Sequence, residues 1–281
     1  MNLLLTGATG FIGRNMHEKL QGYTVFAPGS LELNLLDRDS LVAYIKNNRI
    51  DVIVDCTCWN SYTNSSKTKD MVFVNNVKMF FNISSCSSLV KKIIYFGSGA
   101  EFDRDNWKSM MDESYFSLSI PKDDYGLSKY VNFLQARQFQ NIYNLRIFGV
   151  FGPYEDNKRF ISYCIIKVLR KEVIEIHQNR IFDYLYVDDL ITITGQFIKK
   201  DFKYRAYNVC TGKGQDLIKL ANKVIQIAGN KVSVKVLKPG LNREYTGDNT
   251  LLLKEIKMQF ENINNSIEKL VQYYKTANIR V

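Results

Sequence analysis

A tyrosine followed four residues later by a lysine, in Tyr125-Gly126-Leu127-Ser128-Lys129, places a phenol and an ammonium one turn apart on one helical face. A free phenol titrates near ~10, so it exchanges protons efficiently at neutral pH only when a nearby cation stabilises its phenolate. The pair is a candidate proton donor with its partner, although a chain holding 17 Tyr and 38 Lys plus Arg supplies that spacing easily. Two other stretches lend it support. Gly7, Gly10 and Gly13 follow the apolar run Leu3-Leu4-Leu5-Thr6 and surround the start of a helix-compatible stretch, Phe11, Ile12 and Arg14. Glycine at such places lets the chain turn tightly, approach a pyrophosphate and lay its helix on the sheet. The spacing is G-x-x-G-x-x-G, and the strand before it and helix after it make a dinucleotide turn a better reading than a purely structural one. Ser98 stands between Gly97 and Gly99 just past the run Lys92-Ile93-Ile94-Tyr95-Phe96. Alone it is a turn residue, but with Tyr125 and Lys129 downstream a Ser-Tyr-Lys triad accounts for all three.

The second strand, 24–27, ends in Pro28-Gly29-Ser30 with no Asp or Glu to take a ribose 2′-hydroxyl, which removes the usual preference for NAD. Arg14 and Ser30 are candidates for a 2′-phosphate, Arg14 being the stronger partner. NADPH is therefore preferred over NADH as cofactor, with Arg14 as a solvated first-turn residue the competing reading.

These side chains need a frame, and the first half of the chain supplies one by alternating short apolar runs with amphipathic ones. Strands are expected at 3–6, 24–27, 51–56, 92–96 and 143–147, and helices at 11–21, 40–48, 73–90 and 125–142. That order is an α/β, doubly wound parallel sheet of Rossmann type. After Gly152-Pro153 the alternation stops. A helix over 161–171, an extended stretch at 182–187, a helix at 217–229 and a strand at 232–237 suit a smaller C-terminal lobe over the carboxyl edge of the sheet. Residues 1–155 and 183–212 are expected to form the dinucleotide-binding domain, and 156–182 with 213–281 the substrate lobe.

At 281 residues, with 46% hydrophobic and 23% charged residues, the chain can build its core without disulfides or metal. The net charge of +10 is spread along the sequence, either as a Lys-rich solvated surface or as a field that draws an anionic substrate. No basic helix, zinc-finger spacing or RNA-binding motif points to nucleic acid. Five cysteines without C-x-x-C and only two histidines leave no evident metal site, and the thiols read as reduced residues of a cytoplasmic protein. No leader-like start and no long apolar run suggest export or membrane insertion.

The chain resembles the extended short-chain dehydrogenase/reductases that modify nucleotide sugars. The resemblance rests on Gly7-x-x-Gly10-x-x-Gly13, Asn76-Val77, Ser98, Tyr125-x-x-x-Lys129, the run from Leu145 to Pro153 and Tyr186-Val187-Asp188-Asp189. It implies that Tyr125 is the acid or base at a sugar carbonyl, that Lys129 holds the nicotinamide ribose and lowers the phenol pKa, and that Ser98 orients the carbonyl. It also places Asp37 at the adenine amino group and Phe148 to Val150 beside the nicotinamide. Within the family, the GDP-fucose synthase-like 4-ketoreductases look most similar, through 32–37, 207–212 and the helix that follows. Their epimerase step needs a Cys two residues after the Ser and a His at the start of the substrate-lobe helix. Here Ala100 replaces that Cys, and Phe160-Ile161-Ser162-Tyr163 holds no His.

Epimerisation beside a ketone needs a base on one face and an acid on the other, and Ala100 is neither. Tyr163 and Cys164 remain as substitutes. Arg180 and Arg243 are candidates for the substrate diphosphate, with surface charge as their alternative. The expectation is an NAD(P)H-dependent C4-reductase of a nucleotide-activated 4-keto-6-deoxy sugar, GDP-linked by preference, a hexose or a heptose, feeding a surface polysaccharide. A 4-epimerase with tightly held NAD and a non-catalytic dinucleotide sensor are the alternatives. A homodimer through the helices at 73–90 and 125–142 is expected.

Overall fold

The computed structural model describes residues 1–59 and 69–276. Its elements in chain order are β1 (Asn2–Thr6), α1 (Phe11–Lys19), β2 (Thr24–Phe26), α2 (Arg38–Asn47), β3 (Val52–Asp55), α3 (Val72–Ser85), β4 (Lys92–Ser98), α4 (Asp124–Ala136), β5 (Ile142–Ile147), β6 (Gly149–Phe151), α5 (Phe160–Leu169), β7 (Ile174–Asn179), β8 (Ile181–Tyr186), α6 (Val187–Lys199), β9 (Ala206–Val209), β10 (Gly214–Asp216), α7 (Leu217–Ala228), β11 (Val234–Leu241), α8 (Thr250–Glu255) and α9 (Ile263–Thr276). Six parallel strands form the main sheet in the order β2-β1-β3-β4-β5-β9.

Strand side chains alternate between two cores, as a sheet covered on both faces requires. Leu3, Leu5, Val52, Val54, Ile94, Phe96, Tyr143 and Leu145 join one core, which α6 closes. Leu4, Ile53, Ile93, Tyr95 and Ile142 join the other, under α2, α3 and α4. The helices expected at 73–90 and 125–142 are shorter: α3 stops at Ser85 and α4 at Ala136. Ile142, read as the end of a helix, is the first residue of β5, paired with Ile93. Pairing with a neighbouring strand overrides local helical pattern here.

Helix α6 was not expected, because Ile191-Thr192-Ile193-Thr194 is a β-branched run. Tertiary packing decides the matter: Val187, Leu190, Ile191, Thr194, Phe197 and Ile198 are buried at helical spacing. The C-terminus of α6 is fixed by buried Lys92, whose Nζ donates to the carbonyls of Phe197 and Lys200, each at 2.7 Å. A cation on the last carbonyls complements the negative end of the helix.

Of the remaining elements, α8 packs on the main-sheet core through Leu252, and the others form a lobe. β10-β8-β6 form a three-stranded sheet and β11-β7 a two-stranded one, packed with α5, α7 and α9 around an apolar core of their own. Strand β7 and the full extent of β11, which ends at Leu241, go beyond the sequence expectation. Among the described residues, no helix is long and apolar enough to cross a membrane.

Candidate active site

The glycine turn is built by steric necessity. Gly7 takes φ +68°, and a Cβ there would lie 2.9 Å from the backbone of Cys56 at the end of β3. A Cβ on Gly13 would sit 2.2 Å from the Gly7 carbonyl oxygen, so only glycine lets α1 lie this close to the strand that feeds it. Gly10, by contrast, is exposed at the N-cap of α1, where no side chain caps the first turn. The first-turn N–H groups are thus offered outward, and the turn fits a pyrophosphate. Phe11 and Ile12 anchor α1 against the sheet core.

The expected second-tier residues have additional local duties. The Arg14 guanidinium lies 3.9 Å from the Tyr154 ring centre and 3.4 Å from Glu18. Ser30 is exposed in the loop after β2. Asp37 caps α2, accepting from the N–H groups of Asp39 and Ser40 at 3.1 and 3.2 Å. The Phe148 ring is buried, 5.0 Å from Tyr245, so its side chain belongs to an aromatic cluster and only its backbone can border the cleft.

Ser98, Tyr125 and Lys129 come together. Ser98 ends β4 and caps a short 3₁₀ turn, Gly99–Phe102; its Oγ accepts from Ala100 N–H at 3.1 Å. Asp123 caps α4 by accepting from Gly126 N–H at 2.9 Å, which sets Tyr125 and Lys129 in the first turns of that helix. Lys129 is buried and donates to the Phe96 carbonyl at 2.8 Å, with its Nζ 6.0 Å from the Tyr125 ring centre. The Ser98 hydroxyl is close enough to the Tyr125 phenol to lower its pKa. Burial pushes the Tyr125 phenol above its ordinary value, and Lys129, Ser98 and Arg104 only partly pull it back. Lys129 thus lowers the phenol pKa as expected, but desolvation outweighs the cation, and the phenol stays protonated as a proton donor must. Burial pulls on the Lys129 ammonium too, but Tyr125, Cys58, Asp55 and Glu101 outweigh it and hold it above its usual value.

Ser98 is held from behind by a buried charge network that sequence reasoning missed. The Glu101 carboxylate accepts from Ser98 N–H at 3.0 Å and from Arg146 Nε at 2.8 Å, and Arg146 also reaches Asn208 at 3.2 Å. Both charges are fully buried and paired, and the Arg146 guanidinium lies 4.6 Å from the Phe102 ring centre. The partners are 45 residues apart in the chain, which no local pattern announces.

Above the triad, more residues converge. Tyr245, in the segment after β11, stacks on Trp107 at 3.9 Å, and Arg104 lies 5.3 Å from the Trp107 ring and 6.0 Å from the Tyr125 ring. Arg180 stands 5.6 Å from the Phe182 ring centre. Burial and then the guanidiniums of Arg104 and Arg243 pull the Arg180 pKa down. Arg104 is neutralised by Asp123 at 3.1 Å and Arg243 by Asp105 at 3.5 Å, whereas Arg180 has no carboxylate partner among the described residues. A cavity of about 410 Å³ is lined by Arg180, Phe182, Phe160, Tyr163, His177 and Asn242 among others.

Ala100 is buried, with its N–H taken by Ser98. Tyr163 borders the cavity with its hydroxyl accepting from Glu175 N–H at 3.1 Å. Cys164 lies in the apolar core of the lobe, where burial pushes its thiol to about 12. No cluster of His, Cys, Asp and Glu suited to a metal occurs among the described residues.

Residues 3–210, which carry the glycine turn, the triad and all six strands of the main sheet, match the model of the NAD dependent epimerase/dehydratase family. The chain belongs to this family. It is an NAD(P)-dependent enzyme of the nucleotide-sugar-modifying kind. It is 23% identical to GDP-L-colitose synthase of Yersinia pseudotuberculosis over 98% of each chain. Its fold is similar to that of MlghC, a GDP-mannoheptose C4 reductase from Campylobacter jejuni with NADP bound (TM-score 0.85, 18% identity, 98% of each chain). It is likewise similar to UDP-glucose 4-epimerase of Thermotoga maritima with UDP-glucose (TM-score 0.83, 21% identity, 99% of each chain). The epimerase/dehydratase family thus spans several outcomes on one frame, and this chain's own side chains must select among them.

Proposed function

We propose that the protein is an NADPH-dependent 4-ketoreductase of a nucleotide-activated 4-keto-6-deoxy sugar, acting without epimerising the ring. The observation that carries this reading is the pairing of a protonated Tyr125 beside Ser98 and Lys129 with an alanine, Ala100, in the same turn. One proton donor faces the site, and Ala100 contributes neither acid nor base to it.

The residues divide the work as follows. The N–H groups of the α1 first turn and Gly10 hold the pyrophosphate of the dinucleotide, and Arg14 and Ser30 take the 2′-phosphate, Arg14 by leaving Tyr154. Asp37 keeps one carboxylate oxygen for the adenine amino group while the other caps α2, and the Phe148 backbone borders the nicotinamide. Bound reduced nicotinamide supplies a hydride. Ser98 donates to the C4 carbonyl oxygen, Tyr125 gives that oxygen its proton, and Lys129 stabilises the phenolate left behind until water reprotonates it. The C4=O bond becomes a secondary alcohol. Arg180, with Arg104 and Arg243 around it, holds the diphosphate, and the 410 Å³ cavity receives the nucleoside. Guanosine is favoured because GDP-linked names recur among the relatives. Residues 1–155 and 183–212 serve the dinucleotide and the remainder the sugar nucleotide.

A cytoplasmic location, a role in surface polysaccharide assembly and pairing of two copies through α3 and α4 complete the proposal. Val74 and Phe81 on α3 and Leu134 on α4 are exposed apolar side chains available for that pairing.

NADPH oxidation followed against a panel of GDP-, dTDP-, UDP- and CDP-4-keto-6-deoxy sugars tests this reading. Turnover of one 4-keto sugar nucleotide, lost in Tyr125→Phe, is the expected result. Interconversion of C4 epimers without net NADPH consumption would replace it with the epimerase reading, and no turnover of any panel member would favour a dinucleotide sensor.

A further inference from the structure

The Ser98 hydroxyl has one proton and two lone pairs, and three groups compete for them. One lone pair accepts from the Ala100 N–H at 3.1 Å. The Tyr125 phenol is a second neighbour. A third is the phenol of Tyr245, whose pKa the neighbouring Ser98 hydroxyl lowers. The Tyr245 oxygen is pressed against the turn that Ser98 caps: a Cβ on Gly99 would meet it at 2.6 Å. Its ring is fixed by Trp107 stacked at 3.9 Å, by Phe148 at 5.0 Å and by Phe182 at 5.4 Å. Its backbone is fixed as well, since Tyr245 N–H donates to Ile181 O at 2.9 Å and Asp183 N–H donates to Tyr245 O at 3.1 Å. Residue 245 is therefore delivered to the catalytic turn by its pairing with β8.

We propose that Tyr245 is a positioning residue that acts through Ser98: its O–H donates to the second Ser98 lone pair and so forces the single Ser98 proton toward Tyr125 and the substrate carbonyl. The Tyr245 ring is enclosed by apolar neighbours, and burial pushes its phenol well above the ordinary range, so it is a donor at every working pH. With both lone pairs occupied by donors, the Ser98 hydroxyl cannot turn round and accept from Tyr125. Removing the Tyr245 oxygen frees one lone pair. Ser98 can then accept the Tyr125 proton, which favours the protonated phenol and withdraws the donor from the carbonyl.

The charged groups that face Tyr245 are Arg104, within reach through Trp107, and Arg159 at the start of α5; Tyr125 is the titratable neighbour. Tyr125 itself is faced by Lys129, Cys58 and Arg104; all of these groups are the same in parent and variant, so a shift in the Tyr125 midpoint on altering Tyr245 reports on the hydroxyl relay.

This inference deepens the reductase reading, and its test is chosen to stand without any sugar substrate. 3-Fluorotyrosine placed at position 125 of the full chain gives a single 19F resonance whose pH midpoint reports that phenol, and the fluorine brings the midpoint down into an accessible range. Tyr245→Phe, which keeps the ring stack and removes one oxygen, is expected to move the midpoint to higher pH. In a Ser98→Ala background the same change is expected to leave it where it was, because the effect travels through Ser98. An unmoved midpoint in Tyr245→Phe, or an equal shift with and without Ser98, would overturn the proposal. Where a 4-keto substrate is in hand, Tyr245→Phe is expected to lower kcat about tenfold, the worth of one neutral hydrogen bond, with little change in the KM for NADPH. A failure of every sugar panel would leave the 19F result intact, so the two readings fail separately.

Discussion

The glycine turn and the Ser98 cluster are made by opposite means. The turn is seven consecutive residues, Gly7 to Gly13, whose function comes from backbone and from missing side chains; Gly10 faces outward, and the one distant constraint is the Cys56 backbone packed against Gly7. The cluster draws side chains from β4, α4 and the segment after β11, joined by contacts across long stretches of chain such as Lys129 to Phe96 and Tyr245 to Ile181. A binding turn can be written in one stretch of chain because it needs only shape. Proton transfer needs side chains at fixed distances in a desolvated place, and only the finished fold provides that.

Breaking the cluster gives the largest expected effect. Tyr125→Phe removes the only proposed proton donor and should lower the reduction rate about 10²–10⁴-fold, with urea unfolding midpoints close to those of the unaltered protein, as measured by stopped-flow NADPH oxidation and circular dichroism. Breaking the turn should show the reverse pattern. Gly13→Ala sets a methyl 2.2 Å from the Gly7 carbonyl, and backbone cannot yield as a side chain does; a stability loss of about 3 kcal/mol, read by urea denaturation, is expected together with weak dinucleotide binding.

Between these extremes lies the charged rim. Arg180→Ala deletes a guanidinium that no carboxylate neutralises among the described residues, and KM for the sugar nucleotide should rise about 10- to 100-fold, the range of one charge-assisted hydrogen bond. The KM for NADPH should stay within about twofold of its original value if the rim serves only the substrate, a difference well below 1.4 kcal/mol.

The smallest effect concerns Glu155, buried where the chain leaves β6 for α5, its Oε1 accepting from Ser162. Burial raises its carboxyl to about 7 against the pull of Arg159 and Ser162. A carboxyl whose folded pKa lies above its unfolded one binds more protons when folded, so it costs stability as pH rises from its unfolded value toward 7. Glu155→Gln should remove that slope, making the variant more stable relative to the unaltered protein at pH 8 than at pH 5. The difference should be of order 1–2 kcal/mol after allowance for the half-exposed Arg159. Equal urea midpoints at both pH values, relative to the parent, would assign the carboxyl an ordinary pKa.

The same contrast explains what could be read before the structure. Strands β1, β3 and β4 carry continuous apolar runs, β5 alternates apolar with polar residues, and the glycine spacing and the Tyr125/Lys129 spacing are local; all of these lie in the sequence in plain form. Helix α6 was hidden by its β-branched residues, whose burial at helical spacing is a tertiary fact. Glu101 reads as an ordinary surface acid until Arg146 is brought to 2.8 Å from it. Tyr245 stands two residues beyond Arg243, itself picked for the diphosphate, yet nothing in the sequence says that its ring crosses to Ser98. Even the direction of the Tyr125 shift depended on how deeply the fold buries the phenol.

The central claim, one proton to one alkoxide with no ring epimerisation, is tested most directly by running the reaction in D₂O with unlabelled NADPH and a 4-keto-6-deoxy sugar nucleotide. The account predicts a product with protium at C4, delivered from the cofactor, and no deuterium at C3 or C5. Deuterium at either carbon would show that a base removes a carbon-bound proton in this site, and would contradict it.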